Sequence, residues 1–467
     1  MVSASGYRNG VAAGSLLPNS DMAKDSQDTL VSEPPGERVQ ACVVVPVRNE
    51  EELLPSALRA LAEQKTVTGT ALSHELYEVI LLINNTTDRS HDVARGFQRL
   101  CPTLRLHVAE RNFKKSDAHI GYVRRLLMDE ASRRLRSLGR IDSPILSTDS
   151  DSQVAPNWIA RNQEEFDKGA QAVGGRIVIP PCEQDLLDPA TRDLHNYDHL
   201  YRRLVSWVEA RFDPEPYDPW PRHHHHFGAS LAVTPRVYEA VGRLPPRRYL
   251  EDVAFYNVLI RNDVRLRHSN KVKVFTSGRL SGRARFGLSR QLRDWQEWGK
   301  SGLRMPVETG RFLIYLFTAR HRLRLLWSDY RELRASSTNR IHDLAAEIGV
   351  KPFRLARELQ SARHFGSLLE KLDFYETCRK RWPDWRRLGP LKYVLQEMHE
   401  AFKADHQHDL VALTHQYGND PRESLKSNAM PATPKNVSAH HPLGADNSVP
   451  VIASELITGD RRIQLGL

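Results

Sequence analysis

Two short acidic motifs are the residues in this sequence whose types and spacing best suit chemistry. In the first, Asp149-Ser150-Asp151 places two carboxylates two positions apart, directly after the apolar run 144–146. Hard carboxylate oxygens at one point suit Mg²⁺ or Mn²⁺, with substrate phosphates completing the shell. The same residues also suit an ordinary turn or helix cap, because Pro156 stands near the start of the next helix. The position directly after an apolar strand favours a metal site.

The second motif, Glu251-Asp252, precedes the apolar helical stretch 253–260. Acidic residues in a first helical turn are favoured by the helix dipole alone, which is the structural explanation. The functional explanation is a general base, with one carboxylate placed to take a proton from a hydroxyl. Because the first motif lies upstream, we favour the functional explanation.

The elements that must position these motifs are visible as apolar runs of strand length alternating with helical spacing. The predicted strands are 41–45, 77–83, 104–108, 145–147 and 172–179. The predicted helices are 50–64, 120–138, 253–260 and one that Asp88 or Ser90 begins. This alternation predicts an α/β fold with a mostly parallel, doubly wound sheet and helices on both faces.

Three polar segments, 46–51, 84–88 and 148–151, follow three of the predicted strands directly. In sheets of this class, ligands bind beyond the carboxyl ends of the strands. We therefore expect the three segments to meet in one cleft.

Changes in composition along the chain suggest four regions. Residues 1–38 and 411–467 lack periodicity and are predicted to be a disordered arm and tail. Residues 39–285 hold the alternating pattern and form the predicted α/β domain. Strand signals vanish after it, so 286–410 is predicted to be an α-helical extension.

The overall composition excludes several classes of protein. Four cysteines without paired spacing argue against a disulfide scaffold and favour a reducing, cytoplasmic location. The apolar run 312–317 is far shorter than the roughly 18 residues that span a bilayer, and residues 1–40 show no secretory signal. A net charge of +10 favours acidic partners such as nucleotides or phosphorylated substrates. No zinc finger or RNA-binding motif is visible, so nucleic acid is not an expected partner.

The motifs, in this order, resemble glycosyltransferase family 2, a family with a GT-A type fold. The resemblance covers about 40–285 and includes the strand end Val45-Pro46-Val47-Arg48-Asn49-Glu50. It implies that Pro46, Arg48 and Glu50 lie against the nucleotide of a nucleoside diphosphate sugar.

The resemblance also implies roles for both acidic motifs. Asp149 and Asp151 would hold a divalent metal, Mg²⁺ or Mn²⁺, on the diphosphate, with Ser150 beside the nucleotide sugar. Asp252, with Glu251 next to it, would deprotonate the acceptor hydroxyl in a reaction that inverts the anomeric centre.

Further candidates are less specific to the family. Asn85 stands where the family commonly has an acid, and its amide can pair with a pyrimidine edge. Lys115 is either a phosphate contact or a solvated lysine. Gly228-Ala229 resembles the small-residue loop at which a donor sugar approaches the backbone.

The basic and histidine-rich segments complete the list of candidates. Of the four histidines 223–226, at most two can converge on an extended chain, so acceptor contact by His226 is favoured over metal ligation. Arg279 and Arg283 belong to a Gly-containing segment that is either a phosphate-holding loop or a basic linker. The basic excess over 279–334 is either a salt-bridged helix face or a surface for an anionic acceptor or membrane headgroups.

The function predicted from these residues is a soluble, metal-assisted, inverting glycosyltransferase of the hexosyltransferase type. It would move a sugar from a nucleoside diphosphate to the hydroxyl of an unknown acceptor. One alternative is a sugar-nucleotide nucleotidyltransferase, which would need a Gly-rich basic loop after the first strand. The other is a non-catalytic nucleotide-sugar-binding scaffold, which the presence of Asp149, Asp151 and Asp252 disfavours.

Overall fold

The computed structural model describes residues 29–282, 285–301, 305–333 and 338–405. The predicted arm up to residue 28 and the predicted tail lie outside these ranges. So does Arg283, one of the two predicted phosphate contacts of the basic loop.

Strands and helices alternate over the first part of the described chain, and helices dominate the rest. The strands are β1 (Ala41–Val47), β2 (Tyr77–Asn84), β3 (Arg105–Arg111), β4 (Ile145–Ser147), β5 (Ser152–Val154), β6 (Ala172–Val178), β7 (Leu231–Val233), β8 (Leu266–Thr276), β9 (Pro306–Glu308) and β10 (Leu388–Pro390). The helices up to β8 are α1 (Leu54–Ala62), α2 (Ser90–Leu100), α3 (Ile120–Ser137), α4 (Trp158–Asp167), α5 (Pro181–Gln184), α6 (Pro189–Phe212), α7 (Pro235–Ala240) and α8 (Glu251–Arg261). The helices after β8 are α9 (Leu288–Ser301), α10 (Gly310–Leu333), α11 (Thr338–Ile348), α12 (Pro352–Ser361), α13 (Phe365–Leu372), α14 (Phe374–Lys380), α15 (Asp384–Arg387) and α16 (Leu391–Asp405).

Eight strands form one sheet in the order β3-β2-β1-β4-β7-β6-β8-β5. The pairs β2–β3, β1–β2, β1–β4 and β6–β8 are parallel, whereas β7 and β5 pair antiparallel with their neighbours. The predicted α/β fold with a mostly parallel sheet, followed by a helical C-terminal region, is confirmed.

Alternate residues of the central strands pack on opposite faces of the sheet, as the period of a strand requires. Val43 of β1 lies in a core with Leu58 of α1. Its neighbour Val44 lies in a second core with Leu127 of α3 and Phe255 of α8. Burial on both faces explains why β1 and β2 are continuous apolar runs.

The position of Pro46 explains where β1 and β4 separate. On the side of β1 that faces β4, the amide of Cys42 donates to Pro144 and the carbonyl of Val44 accepts from Thr148. Pro46 is the next residue on that side, and it has no N–H to continue the ladder. Pairing between β1 and β4 therefore ends at Val44, and the chain from Thr148 onward turns away at the carboxyl edge.

The C-terminal helices pack on α6, a 24-residue helix in a stretch for which no helix is predicted. Trp207 of α6 contacts Phe402 of α16 edge to face, with ring centroids 4.8 Å apart. Strands β9 and β10 pair antiparallel within this helical region, where no strand is predicted. Both strands are three residues long and contain proline, which leaves no apolar alternation to detect. Within the described ranges, no helix is both long and apolar enough to cross a bilayer.

The basic residues of α10 are largely paired with acids, as the structural explanation of that segment requires. Asp213, fully buried, accepts from Arg324 through both carboxylate oxygens at 3.0 Å and also from Arg320. Burial alone would raise the pKa of Asp213, but the two guanidinium groups lower it to about 2. These ion pairs give no support to a contact between this segment and an anionic surface.

A buried ion pair joins β2 to α3, the helix that carries part of the candidate site. Both oxygens of Glu78 accept from Arg134 at 2.7 Å, and His107 Nε2 lies 3.2 Å from Oε2. Burial raises the pKa of Glu78, but hydrogen bonds from Arg134 and His107 outweigh it and lower the pKa to about 2. The pair therefore fixes α3 against the sheet.

Replacing the buried acid tests this link. Glu78→Gln is expected to lower the free energy of unfolding by about 3–5 kcal/mol, because it leaves the buried Arg134 without its carboxylate. The control Glu75→Gln removes an exposed pair with Arg38 and is expected to cost less than about 1 kcal/mol. Urea unfolding measures both variants, and equal losses would contradict the proposed link.

Candidate active site

The three polar segments after β1, β2 and β4 lie at one edge of the sheet. The first two are joined directly: Asn49 accepts from the Thr87 amide at 2.8 Å, and the Glu51 amide donates to Asp88 at 2.9 Å. Asn49 has φ 51°, in the left-handed region that asparagine tolerates better than most residues. These contacts fix the loop after β1 against the loop after β2.

Arg124 of α3 connects the first acidic motif to the second. Its Nη2 donates to Asp149 at 2.7 Å, and its Nε donates to Glu251 at 3.0 Å. Its Nη1 donates to the Ser147 hydroxyl at 2.5 Å and to the Gly228 carbonyl at 3.1 Å. Arg124 is only 3% exposed, so one buried guanidinium holds β4, α8 and the segment before β7 together.

The two acids of the second motif have different surroundings. Glu251 is buried and pairs with Arg124. Asp252 is half-buried, and its two oxygens accept from the backbone amides of Gly228 and Val253, each at 2.8 Å. The preceding Leu250 has φ 56°, a costly left-handed conformation for a bulky residue. The geometry makes Asp252 the better candidate base and gives Glu251 a supporting role.

Arg279, which follows β8, pairs with two acids from different segments. It binds both oxygens of Glu50, at 2.6 and 3.0 Å, and its Nη2 also donates to Asp151 at 3.1 Å. The predicted nucleotide contact Glu50 and the predicted metal ligand Asp151 therefore share one guanidinium.

Two acids of this edge, Asp151 and Glu251, have raised pKa values. Burial and the charge of Asp149 raise the pKa of Asp151 to about 6, although Arg279 opposes the shift. Burial and the charge of Asp252 raise the pKa of Glu251 to about 7, against the effect of Arg124. An added cation at this edge would relieve the repulsion between the carboxylates.

Three predicted nucleotide contacts lie on the loops around this edge. Arg48 is exposed and donates to the Ala118 carbonyl at 3.4 Å. Lys115 is exposed. The side-chain amide of Asn85 donates to the Phe113 carbonyl at 2.9 Å and accepts from the Phe113 backbone amide at 3.1 Å. Asn85 thus supports the loop after β3, and a contact with a base remains a prediction.

The predicted acceptor contacts are less open than expected. His226 is buried and stacks on Tyr256 with ring centroids 3.7 Å apart, and Ala229 packs in the core. Gly228 is buried against Arg124, and a Cβ there would lie 2.5 Å from the guanidinium. This burial disfavours direct contact of a substrate with His226 or Ala229. Instead, the loop supports the residues around Asp252.

The four histidines join their segment to neighbouring elements. Nε2 of His223 lies 3.1 Å from the Ser269 carbonyl oxygen, and His225 accepts from the Ile177 amide at 2.9 Å. In the part of the chain that the structure describes, no three His, Cys, Asp or Glu side chains are arranged to hold a metal ion by themselves.

Arg124 and Ser147 are the main site residues that sequence reasoning missed. Ser147 ends a three-residue strand and carries no distinctive spacing. Arg124 falls on the buried face of α3, between Val123 and Leu127. A charged residue among the apolar positions of an amphipathic helix was the available signal, because buried arginines need partners.

Comparison with protein families adds an independent finding. Residues 42–236 match the family model Glycosyl transferase family 2. The match confirms the resemblance over that segment, which includes β1 to β7 and the Asp149–Asp151 motif. Asp252 and Arg279 lie beyond it. The search of curated proteins found no match.

Solved structures show only distant similarity. The mannosyltransferase PcManGT from Pyrobaculum calidifontis, in complex with GDP-Man and Mn²⁺, is 13% identical over 84% of this chain and 90% of its own, with a TM-score of 0.34. TarS 1–349 from S. aureus is 11% identical over 74% of this chain and 92% of its own, also with a TM-score of 0.34. Glucosyl-3-phosphoglycerate synthase from Mycobacterium tuberculosis is 14% identical over 58% of this chain and 83% of its own, with a TM-score of 0.29.

Two adjacent arginines on α3 provide a test of the Arg124 cluster. Arg124→Gln is expected to lower the free energy of unfolding by about 3–5 kcal/mol, because Asp149 and Glu251 lose a buried counter-charge. The control Arg125→Gln breaks a partly exposed pair with Asp129 and is expected to cost about 1 kcal/mol or less. Chemical denaturation of both variants measures the difference, and similar costs would show that Arg124 does not hold the site together.

Proposed function

We propose that this protein is a glycosyltransferase that moves a sugar from a nucleoside diphosphate to an acceptor hydroxyl with inversion. One observation carries the proposal. The acids of 149–151, the acids of 251–252 and Glu50 lie at one edge of the sheet, linked by Arg124 and Arg279. The match of 42–236 to glycosyl transferase family 2 supports the same activity.

Asp149 and Asp151 fit a divalent cation whose shell the sugar donor would complete. Mg²⁺ and Mn²⁺ sites of this kind use one or two carboxylates together with substrate phosphates, which is the ligand set available here. The hydroxyl of Thr148, next to this motif, is buried without a hydrogen-bond partner among the described residues. When bound, the cation would neutralise negative charge that develops on the departing diphosphate.

Asp252 is the proposed base. Its oxygens accept from two backbone amides, which fixes the carboxylate while lone pairs remain for a substrate hydroxyl. In the reaction, the hydroxyl proton moves to a carboxylate oxygen of Asp252 as the acceptor oxygen bonds to the anomeric carbon. The bond to the diphosphate breaks on the opposite face, so the anomeric centre inverts.

Arg279 is proposed to bind the diphosphate of the sugar donor. In the present structure its guanidinium pairs with Glu50 and Asp151. Its Nε is buried without a hydrogen-bond partner among the described residues. A guanidinium that already lies beside the proposed metal ligands is suited to a phosphate oxygen, because its planar fork matches that geometry.

The metal assignment is tested by binding of nucleotide sugars. Asp151→Asn is expected to abolish the Mn²⁺-dependent part of the thermal stabilisation that a nucleoside diphosphate sugar gives the wild-type protein. The control Asp142→Asn changes an exposed aspartate paired with Arg236 and should keep that stabilisation. The thermal stabilisation is measured for a set of nucleotide sugars, each with and without Mn²⁺. Unchanged Mn²⁺ dependence in Asp151→Asn would remove the metal assignment.

The base assignment is tested by separating binding from turnover. Asp252→Asn is expected to bind the nucleotide sugar as the wild type does. In the presence of an acceptor alcohol, it should form nucleoside diphosphate about 10²–10⁴-fold more slowly than the wild type. The amide keeps the hydrogen bond from the Gly228 amide but cannot take the proton. Turnover near the wild-type rate would place the base elsewhere.

A further inference from the structure

Helix α8 has the proposed base at one end and contacts the C-terminal helices at the other. Asp252 lies in its first turn, and Ile260 and Arg261 are its last two residues. Asp252 precedes Ile260 by eight residues, which span about 12 Å at 1.5 Å per residue. A helix of this length behaves as a rigid element, so a shift of its last turn also moves its first turn.

The last turn of α8 touches the backbone of α13. Gly366 is the second residue of α13 and is buried. A Cβ at Gly366 would lie 1.9 Å from the Ile260 carbonyl oxygen and 2.9 Å from the Arg261 Cα. Both of these atoms belong to the backbone, so no change of rotamer could make room for a side chain. The absence of a side chain at Gly366 therefore allows the two helices to approach this closely.

Asp263, two residues after the end of α8, binds the start of α13. Its two carboxylate oxygens accept from the backbone amides of Phe365 at 2.6 Å and Gly366 at 2.8 Å. His364, the residue before α13, provides no side-chain cap. Asp263 therefore satisfies two of the amides that a helix leaves open at its N-terminus.

The contact between α8 and α13 joins two separate hydrophobic cores. Phe255 and Leu259 of α8 lie in a core on one face of the sheet. Phe365 and Leu368 of α13 lie in the core of the C-terminal helices, together with Phe312 of α10. The position of α8 therefore depends on the C-terminal helices as well as on the sheet.

The first turn of α8 needs such an external constraint. Leu250, which precedes it, provides no side-chain cap and has φ 56°. A strained residue keeps this conformation only where its surroundings hold it. The contacts of Asp252 with the Gly228 amide and of Glu251 with Arg124 form only while α8 stays in place. The contact with α13 restrains α8 from its other end.

We propose that the C-terminal helices position the base: Asp263 and Gly366 hold α8 against α13 so that Asp252 stays aligned with the acceptor hydroxyl. The proposal rests on the glycosyl-transfer function above. Asp263 and Gly366 are positioning residues, because they act on the reaction through Asp252. A displacement of about 1 Å at a reacting group can slow a reaction about a hundredfold.

Hydrogen exchange of the Gly228 amide reports on the far end of α8, because this amide donates to Asp252 at 2.8 Å. In Gly366→Ala, the added methyl group forces α8 and α13 apart. Exchange at Gly228 is expected to become about tenfold faster, while exchange at the buried Val43 of β1 stays unchanged. The control Gly96→Ala adds the same methyl group to α2, where the nearest atom would lie 4.0 Å away, and should leave both amides unchanged. Unchanged exchange at Gly228, or an equal increase at both amides, would overturn the proposal.

A second set of variants tests the same contact without adding bulk. Asp263 has φ 51°, which glycine adopts without strain, so Asp263→Gly removes only the carboxylate. Exchange at Gly228 should rise as in Gly366→Ala, and it should rise less in Asp263→Asn, which keeps one acceptor oxygen. The control Glu370→Gln breaks an exposed pair with Arg261, at 2.6 Å, between the same two helices and should leave Gly228 unchanged. Wild-type exchange in Asp263→Gly would overturn the positioning role of Asp263.

Turnover separates this proposal from the function on which it rests. The assay uses the nucleoside diphosphate sugar identified by the thermal screen, with glycerol as the acceptor alcohol. Gly366→Ala is expected to lower kcat about ten- to a hundredfold and to leave KM for the sugar donor unchanged. A raised KM with unchanged kcat would contradict positioning of the base. Failure of the wild type to bind any nucleotide sugar would instead overturn the proposed function, and the exchange measurements would still show whether α13 fixes Asp252.

Discussion

The candidate site depends on one buried guanidinium. Arg124 pairs with Asp149 and Glu251, which lie 25 and 127 residues from it in the sequence, and also binds the Gly228 carbonyl. Without a cation at its centre, this edge of the sheet would bring several carboxylates into a poorly hydrated space. Such carboxylates would take up protons or move apart. Arg124 therefore allows the proposed metal ligands and the proposed base to occupy one cleft.

The charges at this edge of the sheet agree with the proposed reaction. At the donor side, Arg279 offsets Glu50 and Asp151, and a divalent cation would add to that compensation. An acidic edge with a divalent cation suits a diphosphate.

Local sequence patterns predict the strands well, but they predict poorly the long-range contacts that hold the site together. β1, β2 and β4 are found within about two residues of their predicted bounds, because strands buried on both faces are continuous apolar runs. Helix α6 was missed: Trp207 and its neighbours are buried in a cluster with residues of α10 and α16, which follow far along the chain. Arg124 was missed for the same reason, since no local spacing encodes a partner 127 residues away.

The most direct test of the account is a double-mutant cycle between Arg124 and Glu251. The free energy of unfolding is measured for the wild type, Arg124→Gln, Glu251→Gln and the double variant. If the buried pair holds the site together, the coupling energy should be about 2 kcal/mol, within the range of residues in direct contact. Additive effects, with a coupling below about 0.5 kcal/mol, would contradict the central role of this guanidinium.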